Sequence, residues 1–445
     1  MSSARQIGFL ALLIGASALA QGTETPITLD PTLLQVLWIA TCAGLVLMMQ
    51  PGFALLESGM ARAKNSVNVI MKNFTDCAIS SLGYWAVGYG LMFGANPSGF
   101  IGVSSFLSTP TDPLSGVNLL YQIFFAATTA TIISGAVAER IRYIPYLVGT
   151  FFVVTLIYPV YGGWVWGGTA EAPAWLRGLG FLDTAGGAAV HMIGGFTALA
   201  AVMILGPRFG RFGRDGSLRN IPGHSLPLAA LGAFLLWVGW LGFNGGATNP
   251  NFSDLGRILL NTHLGAAAGI VGTLLALSLQ RRPILLTLMM NGALGGLVSV
   301  TAGAKYMDPP FAILTGLIAG VIVVYGGQLL HARRIDDVVD AVPVHGFCGF
   351  WGVVATGLFF SGDLFDPARV GIQLLGGAVA AVWAFGTGYL VFGLINRSLG
   401  LRAGTTHEQR GLDYSEHYEL GYAEFMAART HAEMPSAVKK EEAAH

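Results

Sequence analysis

The sequence predicts an all-α membrane protein of eleven transmembrane helices, arranged as a five-plus-five inverted repeat followed by one extra C-terminal helix. Three observations predict it. Of 445 residues, 53% are hydrophobic before the 62 glycines are counted and only 11% are charged, against about 45–50% apolar with glycine included and about 25% charged in soluble domains. Eleven apolar stretches lie near the ~20 residues that a bilayer requires. One histidine motif occurs twice, five spans apart.

The N-terminus comes first. Arg5, the apolar run Ile7 to Ala18 and the ending Ala18-Leu19-Ala20 have the form of a secretory signal peptide, residues 1–20, which would leave the mature N-terminus outside. An uncleaved extra helix is the alternative reading. The membrane-spanning body then covers 21–402 and a polar tail 403–445.

The spans follow in order at 33–57, 76–95, 118–138, 144–161, 184–206, 226–245, 258–279, 283–303, 309–331, 341–361 and 368–397. Their many glycines imply close packing of helix backbones. Basic residues cluster after every second span: Arg62, Lys64 and Lys72 after the first, Arg140 and Arg142 after the third, Arg208, Arg211, Arg214 and Arg219 after the fifth. Arg281 and Arg282 follow the seventh, Arg333 and Arg334 the ninth, Arg397 and Arg402 the last. By the positive-inside rule these loops are cytoplasmic, so the expected topology is N-terminus out and C-terminus in, in the cell (inner) membrane.

Asp183, seven residues, His191, three residues, Gly195-Phe196 in span five is matched by Asp337, seven residues, His345, three residues, Gly349-Phe350 in span ten. Gly52-Phe53 and Gly242-Phe243 echo each other more weakly in spans one and six. Repeat units of five helices, about 33–206 and 226–361, must be inverted relative to each other. Span five enters from outside and span ten from inside, so a rise of about 1.5 Å per residue carries each histidine about 12 Å inward from its own face. In a core about 30 Å thick the two meet near the midplane.

Ionisable residues at that depth are costly and tend to line pathways. Desolvation favours the neutral imidazole, which has one donor and one acceptor. Such a pair suits a small hydrogen-bonding molecule, or a cation that gives up a proton, better than a bare alkali ion, for which oxygen ligands are expected. Asp183 and Asp337 read as acceptors at helix starts, and Asp183 also favours cations at the outer mouth. A net charge of zero, from 24 basic and 24 acidic residues, gives no footprint for nucleic acid. Cys42, Cys77 and Cys348 are scattered and read as packing residues. No nucleophile, metal cluster or cofactor motif accompanies the histidines, so no metal, cofactor or enzyme activity is expected.

The stretches Gly52-Phe-Ala-Leu-Leu-Glu-Ser-Gly-Met-Ala-Arg-Ala-Lys-Asn65, Ser134-Gly-Ala-Val-Ala-Glu-Arg-Ile-Arg142, Asp183 to His191, Gly239-Trp-Leu-Gly-Phe-Asn244 and Val344-His-Gly-Phe-Cys-Gly349 resemble the ammonium transporter family, whose wider group includes the Rhesus proteins. The resemblance runs over nearly the whole mature chain. It implies a homotrimer with a pore through each subunit, a cation-recruiting outer vestibule, two stacked phenyl rings beneath it and a twin-histidine pair below, with ammonium or ammonia as substrate. Carried over by position, Phe125 and Phe243 are the rings, Trp166 is the vestibule tryptophan, and His191 and His345 are the pair. From the residues alone each phenylalanine reads as packing and Trp166 as an ordinary interfacial aromatic.

Two departures matter. Where the family usually has a serine four residues after the second ring, this chain has Ala247, with Thr248 beside it; Thr248 or a backbone carbonyl then substitutes, or recruitment is weak. Glu57 stands where some members have an aromatic residue, and reads as a partner for nearby polar helix ends with a pore role as the alternative. The stretch Glu408 to Glu419 resembles the family's tail, which packs under a neighbouring subunit and in prokaryotes helps dock a PII-type regulator; the alternative is a charged solubilising tail. The functional reading is ammonium transport, with an ammonium sensor that moves little substrate as the runner-up.

Overall fold

The computed structural model describes residues 30–248 and 250–423; the expected signal peptide and the tail beyond Glu424 lie outside them. Among the described residues the chain is helical, with three isolated bridges as its β contacts. Eight helices of the described residues are long and apolar enough to cross a membrane: α1 (Pro31–Met60), α3 (Pro113–Ala136), α4 (Tyr143–Trp166), α5 (Gly187–Leu205), α6 (Leu226–Gly245), α7 (Leu255–Leu279), α9 (Pro309–Ala332) and α11 (Pro367–Ser398). Two shorter apolar helices are α8 (Leu286–Thr301) and α10 (Val342–Leu358). The remaining one, α2, runs over 66–93 through a π-helical turn at Tyr84–Gly88. These segments correspond in order to the eleven expected spans.

Proline at the first helical turn starts α1, α3, α6, α9 and α11, where its missing N–H costs nothing. Asp30, Asp112, Ser225 and Asp366 cap α1, α3, α6 and α11 with side-chain oxygens. The least accurate expectation concerns α2. It begins at Ser66, not near 76, so Lys72, placed in a cytoplasmic loop by its charge, is instead fully buried within a helix. Partners explain this: its ammonium donates to the Ser134 carbonyl at 2.9 Å and lies 5.2 Å from the Tyr146 ring centroid.

α5 and α10 touch at the glycines of the repeated motif. A Cβ on Gly195 would sit 2.3 Å from the backbone nitrogen of Gly346, and one on Gly349 would sit 2.9 Å from the Gly187 carbonyl oxygen. Any larger residue at either position would force the two helices apart. The small residue four places after each histidine is therefore the one that lets the backbones meet.

At the basic face a network of ions ties the repeats together. Glu139, at a left-handed φ of 70°, accepts from Arg208 at 2.8 Å, from Asn65 at 3.1 Å and from Arg62. Arg208 also grips Asp336 with three bonds of 2.8 to 2.9 Å, and Arg211 approaches the same carboxylate at 3.2 Å. Burial pushes both carboxyls up, but Arg208 with Arg62 holds Glu139 below its ordinary value, and Arg208 with Arg140 holds Asp336 well below. The tail is seated on this face of its own chain through α12 (Thr405–Arg410) and α13 (Leu412–His417). Glu408 pairs with Arg402 at 2.7 Å, and Asp413 accepts the Asn68 N–H at 2.8 Å.

Arg208→Ala removes the shared partner of two carboxylates whose side chains are 0% exposed, leaving Glu139 to Arg62 and Asp336 to Arg211, and is expected to cost about 3 kcal/mol, read as a lower thermal unfolding temperature in detergent. Because folding lowers both carboxyl values, their stabilisation is complete above the ordinary carboxylate value of about 4 and is lost as pH falls through the lowered folded values. Acidification below about pH 4 should therefore destabilise the wild type more steeply than Arg208→Ala.

Candidate functional site

Both repeat-related histidines sit inside π-helical turns that open their helices, Gly187–Met192 in α5 and Val342–Phe347 in α10. Such turns are rare and concentrate at functional sites. The α5 turn is fixed by Asp183, whose Oδ1 accepts the N–H groups of Gly186 and Gly187 at 2.9 and 2.7 Å and whose Oδ2 accepts those of Ala188 and Ala189, both at 2.9 Å. One carboxylate thus satisfies four donors at the helix start. Asp337 does the corresponding job more sparsely, accepting the Val342 N–H at 2.7 Å.

The two imidazoles lie nearly parallel, with ring centroids 5.2 Å apart and an interplanar angle of 17°, and with Nδ1 facing Nδ1 at 3.1 Å. They are 0% and 3% exposed. The meeting of the two histidines expected from the inverted repeat is realised in this contact. A neutral pair joined through Nδ1 has one ring donating and the other accepting, which leaves one Nε2 as an acceptor and the other as an N–H donor. His191 Nε2 is buried and makes no hydrogen bond among the described residues.

Above His191 the aromatic residues form a continuous column. Phe243 is 5.4 Å from the His191 ring, Phe125 stacks on Phe243 at 4.0 Å and 15°, and Trp166 lies 6.3 Å from Phe125. Of the adjacent pair Phe124 and Phe125, it is Phe125 that occupies the stack. The Trp166 indole is held by the main-chain oxygen of Asp183 at 2.8 Å. Trp166, Asp183, Ala247, Arg177, Lys305 and Tyr306 line a cavity of about 310 Å³ above the rings. Below His345 lies a second cavity of about 10 Å³, lined in part by Phe53, Glu57 and Asn291.

Sequence reasoning missed two neighbours, Trp240 and Phe53. Trp240 stacks on His191 at 4.9 Å and 15°; it stands three residues before Phe243, so helical spacing puts both on one face. Phe53 lies 6.2 Å from His345. It is the repeat mate of Phe243, and the Gly-Phe echo was its sequence signal. Glu57, expected as a partner for nearby polar helix ends with a pore role as the alternative, accepts from the Asn73 side chain within α2 and from the Ser134 side chain in the last turn of α3, at 2.9 and 2.8 Å. The Thr248 hydroxyl, one candidate to replace the missing serine, donates to Asp254 at 2.6 Å, and Asp254 in turn pairs with Lys305 at 3.2 Å.

Comparison with known proteins places this geometry. The model of the Ammonium Transporter Family matches residues 37–422. Ammonium transporter Amt2 of Archaeoglobus fulgidus is 40% identical, over 96% of this chain and 94% of its own. Ammonium transporter Amt1 of Haloferax mediterranei is 37% identical, over 90% of this chain and 82% of its own. Among solved structures, one described as a sensor Amt protein superposes with a TM-score of 0.82 at 37% identity, covering 86% of this chain and 98% of its own. Mep2 of Candida albicans superposes at 0.76 with 30% identity, covering 84% and 86%.

Asp183→Asn retains one acceptor oxygen and turns an NH₂ group toward two of the four N–H donors. Each donor left unsatisfied should cost about 1–3 kcal/mol, read as a fall in thermal unfolding temperature.

Proposed function

Because this chain belongs to the ammonium transporter family, we propose that it carries ammonium nitrogen across the membrane by splitting ammonium into ammonia and a proton at the ring stack. In this reading ammonium enters the 310 Å³ cavity, where the faces of Trp166 and Phe125 attract it by about 0.5–2 kcal/mol and the Asp183 carboxylate adds a favourable field. Phe125 and Phe243 then exclude water from the passage. Below them a hydrated cation would lose its shell to apolar rings, whereas ammonia can donate to one imidazole nitrogen and accept from another. Potassium has no proton to surrender and finds no oxygen cage, so it is rejected.

The observation that carries this reading is the unbroken order Trp166, Phe125, Phe243, His191, His345. A homotrimer with a pore in each subunit, residence in the cell (inner) membrane with the N-terminus outside, and docking of a PII-type regulator on the basic face beside Glu408–Glu419 complete the proposal. The domain limits proposed are a signal peptide at 1–20, the transporter body at 21–402 and the tail at 403–445.

A second reading, a sensor that binds ammonium with little flux, is favoured by the solved structure described as a sensor Amt protein and by the vestibule itself. Ala247 supplies no hydroxyl there, and Lys305 places a cation on the same wall.

Currents of purified protein on supported membranes, with ammonium and then potassium pulses, test the proposal; binding of ammonium with neither current nor ammonia flux would favour the sensor. His191→Ala with His345→Ala is expected to abolish selective transport. Unaltered ammonium uptake, still blind to potassium, would count against the role of the pair. Ala247→Ser adds one acceptor for a charged guest, worth about 1.5–3 kcal/mol, and is expected to tighten apparent ammonium affinity by about tenfold or more.

A further inference from the structure

The column of rings and histidines leaves one buried acid beside the pore without a task. Glu57 is 1% exposed and lines, together with His345, the cavity of about 10 Å³ below the pair, which has room for about one water. Its Oε2 accepts from Asn73 and Ser134. Among the described residues no hydrogen bond is made to Oε1.

Behind Glu57 the polar groups continue away from the pore. Asn73 accepts from Thr131 at 2.5 Å, Ser134 offers its carbonyl to Lys72, and Tyr146 donates to Asp76 at 2.5 Å. The titratable and charged groups around Glu57 are thus Lys72 and Asp76 on α2 and His345 on α10, with Glu139 and Arg140 beyond Lys72. Toward the basic face, Asn291 lines the same cavity and bonds Asp340 at 3.3 Å. Asp340 in turn lines a further cavity of about 140 Å³ with Arg208, Arg211 and His331.

A merely structural knot would be served as well by glutamine, whose carbonyl oxygen accepts the same two bonds. A carboxylate at this depth is costly unless it titrates or pairs. Glu57 can do both: Lys72 offsets its ionised form, and its protonated form keeps an acceptor oxygen for Asn73 and Ser134.

We propose that Glu57 is the proton station that follows His345, so that the proton shed by ammonium crosses the membrane beside the ammonia. This rests on the transport reading above. One N–H bond of ammonium breaks, its electron pair stays on nitrogen, and the proton binds His191 Nε2. The Nδ1 proton of His191 passes to Nδ1 of His345, which releases its Nε2 proton through a single water to the Glu57 carboxylate. The Glu57 O–H bond then breaks to water on the basic side and restores the carboxylate. Ammonia following behind resets the tautomers: it takes the Nε2 proton of His191 and returns one to His345 Nε2, while the shared proton goes back across the Nδ1 pair. Nothing is oxidised or reduced.

The test measures ammonium-evoked current and ammonia flux in the same proteoliposomes, for wild type, Glu57→Gln and Glu57→Asp. Glu57→Gln is expected to lower the current by about tenfold or more while ammonia flux stays within about twofold, and Glu57→Asp to recover about half of the current. Undiminished current in Glu57→Gln would overturn the proposal. So would equal loss of current and flux in Glu57→Gln with Glu57→Asp no better, the pattern of a structural residue. A wild type with neither current nor flux would instead remove the transport reading itself.

Discussion

Everything at the centre of this molecule depends on one contact, the 3.1 Å approach of the Nδ1 atoms of His191 and His345. Two polar rings can face each other inside a dry bundle only if the helices that bear them come close enough to touch. Gly195 and Gly349 make that possible, because each brings its own backbone against the partner helix where a Cβ would collide. Each histidine also sits within a π-helical turn at the start of its helix, a geometry that concentrates at functional sites. Asp183 then holds the α5 turn with four N–H bonds and, through its carbonyl, steadies Trp166. A single residue thereby fixes both the histidine helix and the vestibule wall.

The same inverted logic extends to the aromatic residues. Phe243 lies against His191 and its repeat mate Phe53 lies against His345. The symmetry is broken on the vestibule side, where Phe125 of α3 stacks on Phe243. On the other side, beside Phe53, stands the carboxylate of Glu57. One end of the column is capped by a second ring and the other is bordered by an acid.

Charge in this protein is concentrated where partners exist. The basic face joins Glu139, Arg208 and Asp336 in a buried network and seats the tail upon it through Glu408 and Asp413. Buried pairs add little net stability compared with apolar packing, but breaking one is expensive. They therefore hold loops from both repeats in one arrangement. The vestibule shows a different balance, in which the Thr248 hydroxyl is engaged by Asp254 and Lys305 shares the wall with Ala247.

The sequence by itself determined the helical membrane class, the inverted repeat and the meeting of His191 with His345, because hydropathy and period are one-dimensional and an odd-numbered repeat admits a single relative orientation. With the family motifs it also singled out Phe125, Phe243 and Trp166, which as bare residues are indistinguishable from the other aromatics of a chain with 26 phenylalanines. It misplaced Lys72, because charge alone argues for a loop and only the third dimension supplies Ser134 and Tyr146 as partners. Trp240 was quoted within a motif and Glu57 was noted as a departure, but what each touches was not legible. Those contacts were decided by the tertiary structure alone. Whether a buried polar or aromatic side chain packs, pairs or lines a passage depends on atoms brought beside it from distant helices, and no spacing along the chain encodes that.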